Sequence, residues 1–176
     1  MFFRQLKVLA AAGVLAVTAT TTPVHANGDI FEMLSGKWRG KGQVRASVEK
    51  NKEVMRCKMN NSHKEAEGRL ALTGRCSVAG FPFSLRGYIQ QNGTKNSYRA
   101  SMFQAIAALK QESFSGKRSG KKLNFVFRAK DVISKEPVNA RISVVPRGKD
   151  KFDIVISRTD PKTNKNFSVG TIKFSR

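Results

Sequence analysis

Residues 82–103 read PFSLRGYIQQNGTKNSYRASMF, two alternating runs on either side of Asn92-Gly93. Asn-Gly is favoured where a two-residue hairpin turn needs positive φ at both central positions. Folding the chain back on that turn sets Ile89 opposite Asn96, Gly87 opposite Tyr98, Leu85 opposite Ala100 and Phe83 opposite Met102. Every apolar residue then lands on one face, and a slip of one residue would turn them all outward. The stretch predicts an antiparallel hairpin with one dry face and one wet face.

The same test extends in both directions. Ser119-Gly120 sets Phe114 against Phe125 and Gly116 against Leu123. Arg147-Gly148-Lys149 and Asp160-Pro161-Lys162-Thr163 align Ile142, Val144, Phe152, Ile154, Ile156, Phe167 and Val169. Near Gly170 the phase slips to Ile172 and Phe174, the mark of a β-bulge. Strands are expected near 37–48, 53–61, 69–79, 82–91, 95–103, 111–118, 121–130, 138–146, 150–158 and 165–175. Residues 102–111 (MFQAIAALKQ) fit helix and strand spacing about equally, and an irregular connection is preferred to a short helix or lid. The fold class expected is all-β: a single antiparallel up-and-down β-barrel of eight to ten strands with a short N-terminal helical turn.

Composition agrees with one globular domain, since 40% of the 176 residues are hydrophobic. Met1 to Ala26 reads as a secretory signal, with Arg4 and Lys7 before an apolar run at residues 8–17 and small residues at Val24 and Ala26. Ten apolar residues fall short of the roughly 20 that span a bilayer, so no transmembrane segment is expected in the mature chain. The domain is then 27–176, and the periplasm or the exterior is the expected destination. Losing Arg4 and Lys7 leaves 31 basic and 12 acidic side chains on the mature 150 residues. Asn60, Asn92 and Asn166 sit in Asn-x-Ser/Thr patterns, which would matter only in a eukaryotic secretory route. Cys57 and Cys76, the only cysteines, should form a disulfide in an oxidising compartment. Opposed to each other, they set Met55 against Val78 and Met59 against Gly74 on the inner face.

The segment from Asp29 to Trp38 resembles the opening of calycin barrels, the lipocalin superfamily, with Gly36 and Trp38 as the Gly-x-Trp motif. The resemblance implies a helical turn before the first strand and an interior that takes small apolar ligands. It also implies an end closed by Trp38 and a basic side chain of the last strand, here Lys173 or Arg176. Trp38-Arg39-Gly40 is similar to the opening of nitrobindin-like barrels as well. Those carry a haem-ligating His late in the chain, where this sequence has none, so no haem or other cofactor is expected.

No metal site and no enzyme is indicated. His63, the only His left after signal removal, is expected as a solvated turn residue. Ser47-x-x-Lys50 lacks the downstream motifs of the enzymes that use it, and Glu65 and Glu67 are expected only to solvate a hairpin loop. Two features point to binding instead. Gly40, Gly42, Gly74, Gly87 and Gly116 fall on the apolar face. They either coil the strands or leave volume for a ligand lined by Met55, Met59, Phe83, Tyr98, Phe114, Phe125 and Phe127.

The outer face is basic, with Lys37, Arg39, Lys41 and Arg45 alternating on the first strand. The register sets Lys58 opposite Arg75, Arg86 opposite Arg99 and Lys117 opposite Lys122. Like charges directly opposed destabilise a sheet, so a neutralising polyanion is expected: an anionic polymer or lipid headgroup of the cell envelope. Nucleic acid is disfavoured by export. A carrier of a small hydrophobic ligand is the alternative.

Overall fold

Ten alternating runs become ten strands in a computed structural model of the chain, which describes residues 30–94, 96–104, 112–130, 137–160 and 162–176. A helical turn, α1 (Ile30–Leu34), leads into β1 (Gly36–Val44), β2 (Glu53–Lys64), β3 (Arg69–Val78), β4 (Phe81–Gln91) and β5 (Ser97–Gln104). The chain continues through β6 (Glu112–Ser119), β7 (Lys122–Lys130), β8 (Pro137–Pro146), β9 (Lys151–Thr159) and β10 (Asn166–Ser175). Each strand pairs antiparallel with the next, and β1 pairs with β10, which closes an up-and-down barrel. Closure satisfies the hydrogen-bonding edges that an open sheet would present. The expected signal segment and residues 105–111 lie outside the described residues.

Period-two alternation decides what the barrel encloses. Trp38, Cys57, Met59, Leu70, Cys76, Ile89, Phe114, Phe125, Val144, Phe152, Ile172 and Phe174 are buried in one cluster. Cys57 and Cys76 are directly opposed, with Cα atoms 4.0 Å apart, and form the expected disulfide. Met55 faces Val78 and Met59 faces Gly74, as the parity of that hairpin requires. The bulge near the start of β10 also falls where the phase slips: Ser168 pairs with Ser157 and Gly170 with Ile156, leaving Val169 extra.

Two registers differ from the sequence reading. In β4–β5, Gly87 lies opposite Met102, Ile89 opposite Ala100, and Leu85 opposite Gln104, a shift of four residues. Gly93 has φ of 71°, but Asn92 is not in the left-handed region, and the loop spans Asn92 to Asn96. In β6–β7, Gly116 lies opposite Phe125, and Ser119 pairs with Lys122 around Gly120-Lys121. An even shift keeps every side chain on its own face, so alternation cannot detect it. Two expected like-charge pairs therefore dissolve. Arg86 faces Phe103, Arg99 faces Gln90 and Ser115, Lys117 faces Ser97 and Asn124, and Lys122 faces Ser119. The two-residue turn with positive φ at both centres occurs instead at Ala79-Gly80, with φ of 49° and 84°.

Candidate functional site

One end of the barrel is sealed. Ile30, Phe31 and Leu34 of α1 are buried against it, and Gly36 at φ 111° turns the chain from the helix into β1. The atoms nearest a Cβ at Gly36 would be those of the Arg176 guanidinium, at 3.7 Å or more. Backbone conformation, and not space, therefore makes this position glycine. Trp38 donates its indole N–H to the Leu34 carbonyl at 2.9 Å, and Asn61 donates to the same oxygen at 2.9 Å. The Trp38 ring meets Phe152 edge-on at 4.8 Å, and Phe152 stacks on Phe174 at 4.6 Å.

Arg176 lies 4.5 Å over the Trp38 ring and donates to the Ser35 carbonyl at 2.8 Å. Lys173, the other basic residue considered for this place, points outward opposite Lys41 and Asp153. His63 also belongs to the sealed end and not to a solvated turn. It sits within β2 opposite Leu70, with its ring 5.4 Å from Phe31.

Below that plug lies an apolar cavity of about 260 Å³. Met55, Met59, Phe83, Phe114, Phe125 and Phe127 line it, as the sequence suggests. Tyr98 does not. It packs on Phe31 at 5.9 Å in the sealed end. The remaining wall includes the disulfide, Ala100 and Met102, and Ile142, Ile154 and Ile156 of β8 and β9. Those isoleucines lie on the inner face that strand parity gives them.

The inward glycines do not open this volume. A Cβ at Gly116 would fall 2.4 Å from the Phe125 ring, and one at Gly87 would fall 2.3 Å from the Ser101 carbonyl oxygen. Their missing side chains let neighbouring rings and strands close in, which is the coiling role of glycine in a small barrel.

The outer face of β1–β4 carries a groove of about 850 Å³ lined by Lys37, Arg39, Lys58, Arg75, Arg86 and Arg176, with Asn60, Thr73 and Ser84 between them. Register explains the gathering: Arg39 pairs with Lys58, and Lys58 pairs with Arg75. These three cations thus form a row across three strands spaced about 4.8 Å apart. Next to it, Lys41 pairs with both Arg56 and Lys173, and Arg56 is a cation that the sequence reading did not single out. The ion pairs among the described residues are Arg69–Glu67, Arg147–Asp153 and Lys162–Glu49, all outside this groove.

The other expected cations are elsewhere. Arg45 stacks on Phe167 at 5.4 Å and donates to the Ser168 carbonyl, so it ties β1 to β10. Arg99, Lys117 and Lys122 stand on β5, β6 and β7, outside the groove. Among the described residues, no three His, Cys, Asp or Glu side chains gather as metal ligands would. No described helix is long and apolar enough to cross a membrane.

No protein-family model and no curated protein matches the chain. Among solved structures it is similar to a de novo designed fluorescence-activating β-barrel, at 11% identity and a TM-score of 0.48 over 84% of this chain and 97% of that one. It is also similar to a redesigned β-barrel solved bound to DFHBI, at 10% identity and a TM-score of 0.44 over 84% and 98%. The likeness concerns the barrel alone.

Proposed function

We propose that the protein is a non-enzymatic, exported binding protein of the cell envelope whose β1–β4 face docks on an anionic polymer. One observation carries this reading. Five cations, Lys37, Arg39, Lys58, Arg75 and Arg86, line one outer groove, and none of the ion pairs among the described residues touches it. Opposed like charges cost stability in a sheet, and the cost is offset when a dense anion sits over them. The Cys57–Cys76 disulfide supports the exported setting.

The test is the salt dependence of binding to long-chain polyphosphate. Each cation that neutralises a phosphate releases counterions, so log affinity falls linearly with log salt. Lys58→Gln with Arg75→Gln should flatten that slope by roughly 1.5, taking about 0.7–0.9 per contact. Lys117→Gln with Lys122→Gln changes net charge equally and should leave the slope nearly intact. Equal weakening by the two pairs would mean that only total charge matters.

A second reading rests on the cavity. An apolar cavity of about 260 Å³ behind a Trp38–Arg176 plug supports kinship with calycin barrels and carriage of a small apolar ligand. The volume has room for roughly nine water-sized groups. Ala100→Phe would fill it from the wall, whereas substituting Gly87 or Gly116 would drive a Cβ into the neighbouring strand. An environment-sensitive apolar dye should bind the wild type and not Ala100→Phe. A wild type that binds no apolar probe contradicts this reading.

A further inference from the structure

We propose that the rim of the barrel opposite α1, led by Phe81, seats on an anionic lipid bilayer. This rests on the reading of the β1–β4 face as an anion-binding surface and adds to it an insertion edge. The large hydrophobic residues exposed among the described residues are Phe81 at 76%, Val126 at 51%, Val48 at 46% and Val54 at 37%. Val126 is isolated on the outer face of β7. The other three all stand at the end opposite α1.

Phe81 is the first residue after the tight Ala79-Gly80 turn, paired with Val78. That turn holds a non-glycine residue at positive φ, a conformation an L-residue adopts at a cost, and the result is an aromatic ring projecting from a hairpin tip. Val54 is one row further toward the rim than the Lys41–Arg56 pair. It shares a second outer groove of about 480 Å³ with Lys41, Lys52 and Lys173. Val54 thus stands among cations, and Phe81 is exposed at the same end two strands away. Two carboxylates, Glu49 and Glu53, are also exposed at this rim, and Glu49 lies 3.9 Å from Lys162.

A bilayer explains the combination where a soluble polymer does not. Stable attachment to a membrane surface takes two signals, apolar insertion and attraction of basic residues to anionic lipid. A hydrated polymer offers nothing to Phe81 or Val54, while acyl chains just below a layer of anionic headgroups match both. Docked in this way, the barrel presents its Phe81 end to the lipid and its α1 end to water.

The test is co-sedimentation of the chain with vesicles of phosphatidylglycerol mixed with phosphatidylcholine, against phosphatidylcholine alone, with soluble polyphosphate binding measured in parallel. Wild type should pellet with the anionic vesicles only. Phe81→Ser should weaken that binding about tenfold, the order expected for losing one inserted aromatic side chain, and leave polyphosphate binding unchanged. Lys58→Gln with Arg75→Gln should weaken both.

Phe81→Trp gives an independent reading, because the natural Trp38 lies buried at the sealed end. Acyl-brominated lipid should quench the Phe81→Trp protein and leave wild-type emission unchanged. Wild type that binds polyphosphate but ignores anionic vesicles overturns the rim proposal and leaves the polyanion reading standing. Vesicle binding without polyphosphate binding does the reverse. Phe81→Ser and Val54→Ser variants that pellet like wild type, or a Phe81→Trp protein that bromine does not quench, also overturn the rim proposal. Binding to neither probe overturns both.

Discussion

At the α1 end of the barrel, Phe31, Trp38, Phe152 and Phe174 are buried, and Arg176 lies across the Trp38 ring. At the other end Phe81 stands exposed beside a two-residue turn, and Val54 shares a groove with lysines. The strands supply the same alternation to both ends. What differs is the cover. A five-residue helical turn and a C-terminal arginine seal one mouth, and nothing equivalent among the described residues seals the other. The comparison separates the residues that hold the barrel together from those left free to meet a partner.

The largest effect is expected at the plug. Trp38→Ala removes the ring that Phe152 and Arg176 pack against and leaves one donor fewer on the Leu34 carbonyl. Urea unfolding should show a loss of about 3–5 kcal/mol, and a loss under about 1 kcal/mol would mean that the plug is not holding the fold. Next comes the disulfide between β2 and β3. Cys57→Ser with Cys76→Ser should cost about 3 kcal/mol for a closed loop of this size, read by denaturation against the oxidised wild type.

Smaller effects should sharpen the contrast between the ends. Arg176→Gln loses the stack on Trp38 and should cost about 1–2 kcal/mol. Phe81→Ser should stay within about 0.5 kcal/mol of wild type. If the Phe81 change costs as much as the Arg176 change, the rim is packed and the ends are alike. At the rim turn, Ala79→Asn should raise stability by up to about 1 kcal/mol, since Asn tolerates the left-handed region better than Ala. A thermal melt would detect the gain.

The smallest effect belongs to Asp160 in the β9–β10 loop, whose carboxylate accepts backbone N–H groups from Thr163 at 3.0 Å and Lys162 at 2.9 Å. The Thr163 bond chiefly, with the Lys162 bond adding to it, holds its pKa below the ordinary carboxylate value. A carboxyl with a lower pKa in the folded state adds stability at neutral pH, and that stability is lost as pH falls through its folded pKa. The gap between wild type and Asp160→Asn should therefore close on acidification.

The barrel itself was legible because side-chain period and turn residues speak to the same strands. All ten runs from residue 37 onward became strands, and the bulge near Gly170 was visible as a break in phase. That break also decides the basic partner of Trp38. It puts Ile172, Phe174 and Arg176 on the inner face and Lys173 on the outer one, an inference available from parity alone. Register was less legible. Alternation is blind to even shifts, so the Asn92-Gly93 hairpin closes four residues away from the register that alternation suggests, and the Arg86–Arg99 opposition does not exist. The Lys58–Arg75 opposition survived because the cysteine pair fixed that hairpin independently. Phe81 gave no signal, since beside Gly80 and Pro82 it reads as the edge of a turn.

The assignment of binding to the β1–β4 face is tested most directly by lysine acetylation footprinting with and without polyphosphate, read by mass spectrometry. Lys37, Lys41 and Lys58 should be protected, while Lys117 and Lys122 on β6 and β7 react at their free rates. Uniform protection of all five lysines, or protection strongest at Lys117 and Lys122, would contradict it.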